Sequence, residues 1–145
     1  MAITQAVCNT FKSELLGGVH DFDSGSGQAF KLALYTSAAN LSAATTIYTV
    51  TGECPDSGQY AAGGGVLQSQ QVSLDSATAI VDFADLSFTG VTLTAAGALI
   101  YNNTTTATKR AVCALSFGAD KTATSGTFTI VFPAFTAAAA ILRIA

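Results

Sequence analysis

Ile3, Val7, Phe11 and Leu15 recur at every fourth position and are followed by the pair Gly17-Gly18. That spacing stacks the four on one face of a helix which paired glycines end, so the pattern predicts a helix over about 4–16 with Thr4 as N-cap. Beyond it the period changes. In FKLALYT, Phe30, Leu32 and Leu34 alternate with Lys31, Ala33 and Tyr35, which is the two-residue repeat of a strand. SAANLSAATTIYTVTGE follows, with a loop half and a short β half at Ile47, Tyr48 and Val50. Strand signals then come at short intervals in VLQSQQVSL, TAIVDF, VTLT, ALIYN, AVCALSF, TFTIVF and ILRI, with connectors such as LDSA, NNTTTATKR and GADKTATSG between several of them.

Eight or nine short strands behind one helix predict an all-β fold, a β-sandwich or jelly-roll-like small barrel. The chain, 1–145, reads as one domain, with the β-sandwich over about 30–145. GALIYN and AVCAL are apolar on both faces, as central strands covered on both sides are. CPDSGQYAAGGG is the longest run of turn-forming residues; Gly63, Gly64 and Gly65 make it either a mobile loop or a tightly packed corner. The apolar C-terminus is broken by Pro133, and TFTIVF alternates, so two buried strands joined by an alanine-rich turn are expected there and no membrane span.

Composition sharpens this picture. Half of the 145 residues are apolar and 10% are charged, so folding rests on burial, and the surface on Thr, Ser, Asn and Gln. A surface so nearly neutral suits packing against other protein. The net charge of −3 includes no Lys/Arg cluster to neutralise a run of phosphates, so nucleic acid is not an expected partner. Lys109 and Arg110, the adjacent basic pair, read as solvating a loop end. The opening MAITQAVCNTFKSELL has neither a basic n-region nor an unbroken apolar h-region, which predicts a protein made and kept in a cytoplasm. Cys8, Cys54 and Cys113 lack CxxC spacing and read as buried thiols, with Cys54 the one that a turn could expose; a disulfide from Cys54 to Cys8 or Cys113 stays open.

Candidate chemistry is sparse. His20, Asp21 and Asp23 alternate before a glycine as in a calcium loop, but Gly25 and Leu32 stand where two further oxygen ligands belong. The acids read instead as capping turns, and neither a metal nor a cofactor is expected. His20 lacks a nucleophile motif such as GxSxG, and GSGQAF precedes a strand instead of a helix and lacks the third glycine of a dinucleotide loop. Asp82 sits inside an apolar strand, where an unpaired carboxylate is costly. It is expected on the outward face, paired with Lys121 or Arg143, or in an intersubunit contact.

Taken in order, AITQAVCNTFKSELLGGVHDF, FKLALYTSAANL, YTVTGE, YAAGGG, AIVDFADLSFTGVTLTAAGALIYN, FGADKTATSGTFTIVFP and ILRIA resemble a family of small virion structural proteins of tailed bacteriophages over nearly the whole chain. The most distinctive part is the AITQAV opening with its HDF, followed by FKLALYTS; the CPDSGQ loop and AAAAILRIA depart from the family's pattern. The resemblance implies a β-rich, non-enzymatic component of the virion. The expectation is a capsid decoration or cement protein that self-associates and binds the major capsid protein. A tail, baseplate or fibre-associated subunit is the alternative, and a carbohydrate-binding module using Tyr48 and Tyr60 a third reading. Subunit contacts are expected at Phe11, Leu15, Leu16 and Phe22 and in the loop holding Tyr60, Gly63, Gly64 and Gly65, the helix residues being equally suited to an ordinary core.

Overall fold

A computed structural model describes residues 2–104 and 109–145. The N-terminal apolar positions divide between two conformations. Ile3 bridges Leu41, Ala6–Val7 form strand β1, and only Asn9–Leu16 form the helix, α1. The helix is therefore shorter than the fourfold spacing predicts, and its N-cap is Cys8, with no side-chain cap bond, instead of Thr4. Thr4 gives its N–H to the Leu41 carbonyl at 2.8 Å. Gly17 and Gly18 do end α1, returning their N–H groups to the carbonyls of Ser13 and Leu15.

The remaining strands are β2 (Phe30–Tyr35), β3 (Gly65–Val66), β4 (Gln71–Asp75), β5 (Thr78–Asp82), β6 (Leu86–Asn102), β7 (Ala111–Ile130) and β8 (Leu142–Ile144). They make two antiparallel sheets, ordered β1-β7-β6-β2-β3 and β4-β5-β8. The fold is thus all-β with one N-terminal helix. VTLT and ALIYN belong to the single strand β6, and AVCALSF and the TFTI of TFTIVF to β7, which ends before Val131. GADKTATSG, expected as a connector, runs inside β7, where Lys121, Thr122 and Ala123 pair with Ala95, Thr94 and Leu93. Four register shifts along β6–β7 absorb the turn-forming residues as local irregularities, the usual role of a bulge. Ile47, Tyr48 and Val50 lie outside the strands, tied in by a bridge from Ile47 to Arg110. Of the connector NNTTTATKR, Thr105–Thr108 lie outside the described residues.

The core sits where the pattern is apolar on both faces. Every residue from Ala98 to Asn102 and from Ala111 to Ala114 is buried, as expected of the central strands β6 and β7. Farther along the ribbon, Phe88, Val91, Leu93 and Ala95 turn inward, while Ser87 meets Thr129 and Thr94 meets Thr122 outside, at 2.9 and 2.8 Å. An aromatic chain links the two sheets. Phe22 stacks on Phe30 at 4.3 Å between ring centres, both approach Phe83 just beyond β5, and Phe83 approaches Phe132.

Candidate interaction surface

Burial sorts the predicted contact residues. Phe11, Phe22 and Tyr60 are almost wholly enclosed by their own chain, and Leu15 is half-buried against the core. Phe11, Phe22 and Tyr60 have nearly all their apolar area used within the molecule, which corrects the expectation that they offer it to another subunit, whereas Leu15 keeps part of its surface free. Leu16 is the opposite case, 91% exposed at the end of α1.

Around Leu16 the structure brings together residues that share no sequence signal. One face of the three-stranded sheet presents Val72, Val81, Leu142 and Ile144 toward α1, and a groove of about 550 Å³ runs between them and Phe11, Leu15 and Leu16. Its rim carries Lys12, Asp21 and Arg143. Val72, Leu74 and Ile144 are 52%, 69% and 59% exposed, so with Leu16 they hold half of the large exposed apolar side chains among the described residues. Such a concentration marks a binding surface more often than scattered exposure does. It was hidden from sequence reading because α1, β4 and β8 are brought together only by the fold.

Behind the groove lies a buried polar cluster. Glu14 Oε2 is 3.2 Å from His20 Nε2 and 3.3 Å from Arg110 Nη1. Asn102 Nδ2 lies 3.1 Å from His20 Nδ1 and donates to it, and also donates to Gln28 Oε1 at 2.8 Å. With Nδ1 accepting, the imidazole's proton sits on Nε2 and is given to Glu14. Burial pushes the His20 pKa down, against the opposing pull of the Glu14 charge and hydrogen bond. Both ring nitrogens are engaged, so the cluster works as an internal strut from α1 to the ends of β6 and β7. Arg110 is part of that strut instead of solvating a loop end, and Lys109 lies over the Tyr48 ring, 5.2 Å from its centre. Asp21 and Asp23 cap turns as expected, accepting from the N–H groups of Asp23 and Gly25 at 2.9 and 2.8 Å.

The glycine loop proves to be a packed corner. Glu53 Oε1 accepts from the Tyr60 hydroxyl and the Gly63 N–H, both at 2.7 Å, and Oε2 accepts from the Tyr48 hydroxyl at 2.5 Å. Tyr101 donates to the Gly63 carbonyl at 2.6 Å. Gly64, at φ +80°, presses so close to β2 that a Cβ there would lie 1.9 Å from the Leu32 carbonyl oxygen. Gly65 then pairs with Leu32 as part of β3. Tyr60, 1% exposed, has no face free to stack on a sugar, and Tyr48 is already stacked on Tyr101, 4.8 Å between centres.

Two more expectations change. Cys54 is buried, not exposed, and directs its thiol to the Thr94 carbonyl; Cys8 and Cys113 are buried as well, and all three are free. Asp82 is half-buried opposite Gln71 and pairs with neither Lys121 nor Arg143; its Oδ1 is enclosed with no hydrogen-bond partner among the described residues. Arg143 instead donates to the carbonyls of Ala137 and Ala138. No group of three His, Cys, Asp or Glu side chains among the described residues is placed to hold a metal ion. Nor is any described helix long and apolar enough to cross a membrane. No family model, curated protein or solved structure matches the chain.

Proposed function

We propose that this chain is a non-enzymatic structural protein of a tailed-phage particle, a decoration or cement protein that self-associates and binds the major capsid protein from outside. The observation that carries the reading is the exposed apolar groove between α1 and the three-stranded sheet, rimmed by Leu16, Val72 and Ile144, on a chain with few charges. The family resemblance of the sequence adds the virion context. A cement acts by mass action. Binding the assembled lattice and not its loosened form stabilises that lattice by about 2.7 kcal/mol when free protein stands at a hundred times its dissociation constant. Covering Leu16 at such an interface would contribute roughly 1.5–3 kcal/mol.

The test is quantitative mass spectrometry of purified particles with heads and tails separated, using wild type and Leu16→Lys. Copy numbers near those of the coat protein in heads are expected, with occupancy by Leu16→Lys reduced at least tenfold. Because Leu16 is 91% exposed, the substitution should change the stability of the free chain by no more than about 0.5 kcal/mol. A low, symmetric number in tails would replace the cement reading with a tail, baseplate or fibre subunit. Absence from both fractions would overturn the virion reading altogether.

A further inference from the structure

Strand β4 ends the three-stranded sheet. It pairs with β5 on one side, and no described strand pairs with the other. The two strands are joined by the two-residue turn Ser76–Ala77, which closes on the Asp75–Thr78 pair. In a two-residue hairpin the closing pair is hydrogen-bonded, and bonded and non-bonded pairs then alternate along the ladder. Gln71, Ser73 and Asp75 therefore turn their backbone groups toward β5, whereas Val72 and Leu74 present N–H and C=O groups to the open edge. Such an edge is a template for another strand, and proteins commonly blunt it with lysine, proline, a bulge or a covering segment. β4 is regular throughout, contains neither lysine nor proline, and is exposed from Gln71 to Leu74.

The order of side chains on β4 indicates what fits there. Gln-Val-Ser-Leu-Asp reads polar, apolar, polar, apolar, polar from either end. We propose that β4 is a self-pairing edge, on which β4 of a second copy lies antiparallel about a two-fold axis through Ser73. In that register Val72 of each copy lies opposite Leu74 of the other, and these two pairs exchange four backbone hydrogen bonds through the groups that β5 leaves free. Gln71 of each copy meets Asp75 of the other, so like charges do not face each other. Moving the register by one residue sets both apolar side chains against polar ones. Moving it by two matches Val72 with Val72 or Leu74 with Leu74 but leaves the other apolar residue opposite Gln70 or Ser76. Only the Ser73-centred pairing satisfies both apolar positions. The result is a six-stranded sheet, β8-β5-β4-β4-β5-β8, with both apolar grooves opening on one side. This names the contact for the self-association proposed above and leaves the particle assignment aside.

The test uses the purified full chain. Native mass by sedimentation equilibrium should give twice 14.7 kDa for the wild type and 14.7 kDa for Leu74→Pro, which removes an N–H directed at the second copy while keeping every bond to β5. Ser73→Cys should form a disulfide-linked dimer under mild oxidation, because opposite residues of a non-bonded pair have Cα atoms about 4.5 Å apart, within disulfide reach. Gln71→Cys, opposite Asp75, should link at least tenfold more slowly. If circular dichroism shows that Leu74→Pro has not folded, the cysteine pair decides alone. A monomeric wild type at all concentrations overturns the proposal, and so does an oligomer in which Ser73→Cys links no faster than Gln71→Cys. Head occupancy in the mass-spectrometric experiment is a separate readout, so failure of this contact and failure of the virion reading are distinguishable.

Discussion

Replacing Gly64 and Gly27 by alanine, one at a time, separates backbone strain from close packing. Both residues have left-handed backbone, at φ +80° and +76°, so either alanine incurs the conformational penalty of an L-residue, about 1–2 kcal/mol. Around Gly27 a Cβ would meet nothing within 4 Å, and the strain stands alone. At Gly64 the Cβ would lie 1.9 Å from the Leu32 oxygen, 2.5 Å from its carbonyl carbon and 2.7 Å from Ala33 Cα. These are backbone atoms of β2, held between β6 and β3, and no rotamer change moves them. Restoring ordinary contact requires a separation of roughly 1.5 Å, which breaks the β2–β3 pairing and strains the bonds of Gly63 to Glu53 and Tyr101. At about 1 kcal/mol for each hydrogen bond lost, the total for Gly64→Ala reaches about 4 kcal/mol or more. In urea, with a slope of about 2 kcal/mol/M, the unfolding midpoint should fall by about 2 M for Gly64→Ala and by less than 1 M for Gly27→Ala. If the two variants differ by less than about 1 kcal/mol at unchanged slope, the corner is not the tight contact described and the reasoning fails.

Stability should also decline in alkali. Burial, reinforced by the Glu53 charge, raises the Tyr101 pKa from its ordinary 10.0 to about 12, and those of Tyr35 and Tyr60 go higher still. The folded state then holds protons that the unfolded chain releases, so this contribution is complete below pH about 10 and is lost as pH rises toward 12 and beyond. Urea titrations at pH 8 and near pH 11 should show the loss, and midpoints equal at both would contradict it. The cysteines give an independent check on the core. Burial pushes the Cys8 and Cys54 thiols up to about 11 and raises Cys113 as well. The native protein should therefore react slowly with a thiol reagent at neutral pH and expose three thiols on unfolding; rapid labelling of one in the native state would show that its segment is open.

What the sequence discloses depends on whether a signal is local. The alternation in Phe30–Tyr35 and the doubly apolar runs at Ala98–Tyr101 and Ala111–Ala114 announce central strands, because burial on both faces leaves no room for polar residues. The spacing of Ile3, Val7, Phe11 and Leu15 misleads for a definite reason. Positions four apart share a face in a helix and in a strand alike, so the repeat could not show that the first two residues are extended. Turn-forming residues in GADKTATSG hide the continuity of β7, since the bulges that accommodate them leave no mark in one strand read alone. Glu14 carries no sequence signal for its contacts, because the turn that brings back nearby His20 and the strand that delivers distant Arg110 are set by the fold. Cys54 stands among Pro, Asp, Ser and Gly, the residues of exposed turns, but its thiol turns inward to Thr94. The apolar groove was likewise illegible, being made from the faces of three elements that the fold alone places together.

The pairing of β1 with β7 sets an order on how the chain reaches its native state. Ala6 lies opposite Ala114, and Val7 opposite Cys113, so the first strand has no permanent neighbour until most of the chain exists. During synthesis the growing polypeptide emerges N-terminus first, so Ala6 and Val7 must wait for their strand partner while β2 to β6 leave the ribosome, although Ile3 and Thr4 can meet Leu41 much earlier. Closing so long a loop carries its entropic cost before any contact compensates for it, which places this architecture among the slower-folding topologies. Docking of β1 is therefore the step that completes the larger sheet, and a chain stalled before residue 114 would still have its edge open to neighbouring nascent chains.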